Sequence, residues 1–146
     1  MTRSKRLQPV HRIAKNNEDE AARRTTESRR ALAAQEVRLQ ELCAYREQYA
    51  RQLESAAGLD AFRLHDYRAF LNRLNDAIGQ QEQLLERLRA KHRQTEADWL
   101  ALRTHSQAVD KLIDRYRAAE YRQEERREQR TVDELAGRPG DSRDKS

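Results

Sequence analysis

Residues 67–116 read YRAFLNRLNDAIGQQEQLLERLRAKHRQTEADWLALRTHSQAVDKLIDRY, and this stretch decides the fold. Taken at alternating steps of four and three, it gives Tyr67, Leu71, Leu74, Ile78, Gln81, Leu85, Leu88, His92, Thr95, Trp99, Leu102, Ser106, Val109, Ile113 and Tyr116. Most of these positions are apolar, and the residues between them are mostly charged or polar. A strip of that period lies along one side of a helix and is stable only when buried against another helix, as in a coiled coil. Between Pro9 and Gly137 the only helix breakers are Gly58 and Gly79. A glycine inside so strong a repeat costs only about 1 kcal/mol relative to alanine, so Gly79 is tolerated and Gly58 is the natural point of return.

A first helix is therefore expected from about 9 to 57, with Pro9 in its first turn, where a missing N–H leaves nothing unpaired. Its seam runs through Val10, Ile13, Asn17, Ala21, Ser28, Leu32, Gln35, Leu39, Leu42, Arg46, Tyr49, Leu53 and Ala56. The part from Asn17 to Ser28 is poor in large side chains and contributes little burial at about 25 cal/mol per Å². The return covers about 58–66, with Gly58 suited to a left-handed backbone, Asp60 placed as a cap, and a short helical piece from Asp60 to His65. A second helix is expected from about 66 to 136, stopped by Gly137 and Pro139, and a disordered tail over 138–146. The fold class is all-α: two long helices forming an antiparallel coiled-coil hairpin as one domain over 1–146.

Composition agrees with thin paired helices. Hydrophobic residues make up 36% and charged residues 38% of 146 positions, with only four glycines. A stripe of two positions in seven builds no thick core and no enclosed pocket, so an enzyme is not expected. The 30 basic and 25 acidic side chains give a net charge of +5, and they mostly interleave as solvated surface. The N-terminus is one-sided: Arg3, Lys5, Arg6, Arg12 and Lys15 precede the first acid, Glu18.

The single cysteine, Cys43, excludes an intramolecular disulfide and fits a reducing compartment. No run of about 20 apolar residues could cross a bilayer, and no apolar run follows the N-terminal charges as in a secretory signal. A cytoplasmic location is expected. His11, His65, His92 and His105 have no metal-ligand spacing among themselves or with Cys43. No phosphate-binding glycine loop or activated nucleophile is present, so neither cofactor nor catalytic residue is expected. The basic N-terminus is the outline of a basic-region zipper, but acids begin at Glu18 and the adjoining seam is weak, which argues against nucleic acid as a partner.

At about 1.5 Å per residue the first helix would be about 70 Å long and the second about 105 Å. If the chain folds back at Gly58, Arg117 to Ala136 are left without a partner in the chain, as an overhang that frays when alone. A second stripe, Phe70, Leu74, Ala77, Gln81 and Leu84, shares one edge of the second helix. Phe70 and Leu84 are surplus to a two-stranded seam. They either pack on the return through Leu59, Phe62 and Leu64 or offer a surface to another protein.

The chain resembles the FliJ-type component of the bacterial flagellar type III export apparatus. The resemblance is carried by Asp19-Glu20-Ala21-Ala22-Arg23, by Tyr45 and Tyr49, by Tyr67-Arg68-Ala69-Phe70-Leu71, by Trp99 and by Asp133-Glu134-Leu135-Ala136, in order along almost the whole chain. It implies an antiparallel hairpin similar to the central stalk of rotary ATPases. It also implies a non-enzymatic monomer that inserts the end bearing both termini into the hexameric export ATPase, promotes its assembly and activity, and engages the export-gate membrane protein and export chaperones. Such a protein works at the inner membrane at the flagellar base. By this resemblance the gate-contacting stripe falls on Phe70, Leu74, Ala77 and Gln81, with glutamine where the family carries histidine. The ATPase-pore end falls on Arg12, Arg23, Arg117, Arg122 and Arg126. A generic coiled-coil scaffold or homodimer is the competing expectation, separable by whether mass changes with concentration.

Overall fold

The structure is a computed structural model that describes residues 1–55 and 60–137. It contains two helices, α1 (Arg3–Ser55) and α2 (Ala61–Gly137). The chain is all-α, and the two helices pack antiparallel to each other. Gly58 and the tail over 138–146, to which the sequence assigned the turn and disorder, lie outside the described residues.

Both helices start earlier than the sequence suggested. α1 begins at Arg3, where the Thr2 hydroxyl accepts from the Lys5 N–H at 3.4 Å and the Thr2 carbonyl from Arg6 at 3.1 Å. Pro9 lies in the second turn, so the Lys5 carbonyl has no amide donor four residues on. α2 begins at Ala61, because Asp60 accepts the Arg63 N–H on its carboxylate at 2.8 Å and nothing between Ala61 and Asp66 breaks a helix. The expected cap is present, and what it caps is one continuous helix rather than a short piece.

The described chain divides into two compact units, one of Asp19–Ala101 and one of Met1–Glu18 with the segment from Leu102 onward. In the Asp19–Ala101 unit the seam keeps a strict seven-residue period. From α1 it takes Ala21, Thr25, Ser28, Leu32, Gln35, Leu39, Leu42, Arg46, Tyr49 and Leu53, and from α2 the residues from Leu64 to Trp99 in the same steps. Leu74, Ile78, Gln81 and Leu85 are buried, Leu85 to 1% exposure. Where large apolar groups give out, hydroxyls take over. The Thr25 hydroxyl donates to Thr95 at 3.1 Å, and Ser28 contacts Thr95 at 2.8 Å and the His92 Nδ1 at 2.9 Å. Among the described residues no buried side-chain nitrogen or oxygen lacks a hydrogen-bond partner, which offsets the cost of burying this layer.

In the other unit the seam differs from the expected one by a single residue. Val10 and Ile13, assigned to the seam, are 43% and 61% exposed, and Asn17 is exposed. The interface instead holds Ser4, Leu7, His11, Ala14 and Glu18 from α1 against Ser106, Val109, Ile113, Tyr116 and Glu120 of α2. Ala14, Val109 and Ile113 form its apolar centre, with Leu7 packed on them. Polar bonds set this rotation: Ser4 to Glu120, His11 to Asp110 and Ser106 to Glu18. Turning α1 by about 100°, one residue on a helical wheel, would bury Val10 and Ile13 and break all three.

Because α1 starts at Arg3, pairing reaches Glu120, into the stretch from Arg117 onward that was expected to have no partner in the chain. Every residue from Tyr121 to Gly137 is exposed, including Tyr121 at 67%, Val132 at 58% and Leu135 at 63%.

Candidate interaction surfaces

The surfaces to consider follow from the seam phase. In an antiparallel pair, the position just before one seam residue in each heptad faces its counterpart on the other helix. Phe70, Ala77 and Leu84 of α2 hold that position, as do Arg24, Ala31, Arg38 and Tyr45 of α1. The contact between Tyr45 and Phe70, with ring centroids 6.2 Å apart, confirms that the two sets share a flank.

Phe70 sits in an aromatic cluster. Its ring centroid is 4.6 Å from that of Tyr49, which in turn lies 6.0 Å from Tyr67 and 4.9 Å from Tyr45. The two hydroxyls of Tyr45 and Tyr49 are 3.4 Å apart, and the Tyr45 hydroxyl beside it pushes the Tyr49 phenol above its ordinary range. Offset and edge contacts of this kind add about 0.5–1.5 kcal/mol to simple burial. Of the two expectations for Phe70, packing on the return or offering a surface, the first is not met at Phe62, which is 74% exposed; Phe70 lies on the tyrosines of α1 and is half-buried there. The seven-residue step linking Tyr45 to Gln52 and Phe70 to Ala77 was the signal that could have found this pairing.

The four residues of the expected gate stripe separate into two layers. Leu74 and Gln81 are seam residues, each 8% exposed. The Gln81 amide donates to the Gln35 side chain at 2.8 Å and to its backbone carbonyl at 3.1 Å. Phe70 and Ala77 are half-buried on the flank above them and present the accessible part of the stripe.

Of the arginines placed at the opposite end, Arg12, Arg117, Arg122 and Arg126 belong to the unit with Met1–Glu18, and Arg23 belongs to the Asp19–Ala101 unit; all five are exposed. The Glu120 carboxyl, with Arg117 close by, is held below its ordinary range first by the Ser4 hydroxyl, then by the Ser4 N–H, against a smaller opposing effect of burial. Burial pushes the Glu18 carboxyl up, but the Ser106 hydroxyl together with Lys15 and Arg103 outweighs it, and the net shift is downward. The Arg3 guanidinium lies 5.7 Å above the Tyr116 ring, a cation–π contact that sequence reading did not anticipate.

The expected seam residues Leu39, Leu42, Tyr49, Leu71, Ile78, Leu85, Leu88, Trp99, Leu102, Val109 and Ile113 are all buried or half-buried. Among the described residues no group of three His, Cys, Asp or Glu side chains could hold a metal ion, and no helix is long and apolar enough to cross a membrane. A groove of about 570 Å³ is lined by Arg122, Glu125, Arg126, Glu128, Gln129 and Val132 of α2 alone. It is the side of one helix rather than a reaction chamber. What the arrangement offers chemically is recognition: an aromatic and alanine flank at one place, arginines and an unpaired helix at another.

Comparison with known families gives a match to the flagellar FliJ protein over residues 3–142. Among curated proteins none matches the chain.

Proposed function

Because the chain belongs to the FliJ family and is thus a component of flagellar protein export, we propose that it works there as a stalk, without catalysing a reaction of its own. The end of α2 beyond Glu120 enters the central pore of the hexameric export ATPase, together with the start of α1, and promotes ring assembly and turnover. Arg12, Arg23, Arg117, Arg122 and Arg126 supply the charge for that contact. The observation that carries this reading is the fully exposed helix from Tyr121 to Gly137, which extends beyond the last partner α1 provides, Ser4. A helix that long and polar is only marginally stable unless another protein surrounds it.

Phe70 and Ala77 engage the export gate, and Leu74 and Gln81 act beneath them by holding the α2 flank in place. Export chaperones are further partners, and the site of action is the cytoplasmic face of the inner membrane at the flagellar base. No nucleic acid takes part.

The test is turnover of the purified export ATPase titrated with this protein. Saturation at about one chain per six ATPase subunits is expected of a stalk inside a ring. No stimulation at any ratio by a fully helical chain would instead favour a coiled-coil scaffold, which a concentration-dependent mass would identify as a homodimer.

A further inference from the structure

The two flanks of the Asp19–Ala101 unit are unlike. On one, polar pairs bridge the helices: Glu36 with Arg89 at 3.9 Å, and the Arg46 guanidinium donating to Asn75 at 3.2 Å. On the other no such bridge is formed between Arg24 and Arg38. Here Ala31 is exposed and presents only a methyl, while Leu84 and Leu88 are half-buried beside it. A groove of about 310 Å³ runs there, lined from both helices by Arg24, Glu27, Ser28 and Ala31 and by Leu88, Lys91 and Thr95.

A two-stranded seam has no use for leucine at the Leu84 position. Apolar side chains flanking a seam, opposite a residue as small as alanine, are what a third helix needs in order to lie between two others. The stretch from Arg24 to Arg38 spans about 21 Å, enough for four turns of such a helix. Its rim carries Arg24, Arg38, Arg87 and Lys91, all exposed, against Glu27, Glu41 and the Glu20 that pairs with Arg24 at 2.7 Å. The seat is therefore basic on balance and suits an acidic occupant.

We propose that this flank, with Ala31 and Leu88 lining its groove and Leu84 next along the same edge, is a docking seat for an acidic amphipathic helix of a partner protein, which completes a local three-helix bundle. The apolar stripe of that helix covers Ala31, Leu84 and Leu88, and its carboxylates face Arg38, Arg87 and Lys91. Phe70 lies outside the seat, which adjoins the gate contact only at its edge, where Arg38 holds the position facing Ala77.

The probe is a fluorescent synthetic peptide of about 21 residues, long enough for appreciable helix, with a leucine stripe flanked by glutamates. A second peptide carries lysines in place of the glutamates. With the full chain, the acidic peptide should bind at least about tenfold tighter than the basic one, and its affinity should fall as salt rises. Ala31→Glu and, separately, Lys91→Glu should each weaken it about tenfold or more, with helicity unchanged, because both positions are exposed. Phe70→Ala should leave it unchanged. Equal binding of the two peptides, or undiminished binding by both charge variants, would overturn the proposal. So would self-association of the chain that Ala31→Glu abolishes, since the occupant would then be a second copy.

Discussion

The Ser4 hydroxyl donates to one carboxylate oxygen of Glu120 at 2.7 Å while the Ser4 N–H donates to the other at 3.0 Å, joining residues 116 positions apart in sequence. One carboxylate thereby serves as cap for an orphan amide in the first turn of α1 and as the last interhelical tie of α2. The same bond marks where pairing stops and the unpaired part of α2 begins.

That tie makes the Met1–Glu18 pairing sensitive to acid. Glu120 and Glu18 both titrate below the ordinary 4.5 in the folded chain. The unfolded chain thus takes up these protons first on acidification. Their stabilisation is complete above about 4.5 and is lost as pH falls through the depressed folded values. Thermal melts between pH 7 and 3, followed by NMR shifts of Ser4 and Ser106, should show this loss, and Glu120→Gln should remove the Ser4 part of it.

The hydroxyl layer predicts non-additivity. Ser28→Ala takes one partner each from the His92 Nδ1 and from the half-buried Thr95 hydroxyl, which keeps Thr25 and the His92 carbonyl, at a cost of about 0.5–1.5 kcal/mol. Thr25→Val together with Thr95→Val removes a bonded pair at nearly constant shape. The double variant should cost less than the two single ones summed, and urea unfolding would measure the coupling.

The expected gate stripe should split by layer. Leu74→Ala opens a cavity in the seam and should lower stability by about 2–4 kcal/mol. Ala77→Arg, on the half-buried flank, should weaken binding to the export gate and motility with little effect on unfolding. Gate binding that survives Ala77→Arg and Phe70→Ala together would remove the assignment.

A stop codon after Tyr121 spares the Ser4–Glu120 tie and, among the described residues, deletes only unpaired helix. Stimulation of the export ATPase should disappear while the thermal midpoint of the remaining chain stays within a few degrees. Full stimulation by the shortened chain would place the ATPase contact elsewhere.

Gly79 has nothing within 4 Å of where a Cβ would stand. Gly79→Ala should therefore stabilise α2 by about 1 kcal/mol, visible as a raised urea midpoint with an unchanged slope.

Legibility in the sequence followed side-chain size. From Leu71 to Leu88 the large apolar residues other than Leu84 fall on a strict period, and the structure buries or half-buries every one of them. The Asp60 cap was equally plain, being a local signal. Val10 and Ile13 misled because size was taken as the mark of a buried position. In that unit the rotation is decided by Ser4, His11 and Glu18, whose partners Glu120, Asp110 and Ser106 are about a hundred residues away and leave no periodic trace. The stripe of Phe70, Leu74, Ala77 and Gln81 read as one surface because its spacing is regular, yet alternate members lie on the seam and on the flank. Only the phase of the facing helix, through Gln35 and Tyr45, separates them.

The run Ala21, Thr25 and Ser28 has a mechanical consequence. Methyls and hydroxyls hold adjoining backbones through short bonds and little hidden surface, so parting them there costs less than parting the leucines from Leu71 to Leu88. Under heat or pulling, this is the tear line of its unit: it should open first and, with each hydroxyl finding its partner again, close without memory of having opened.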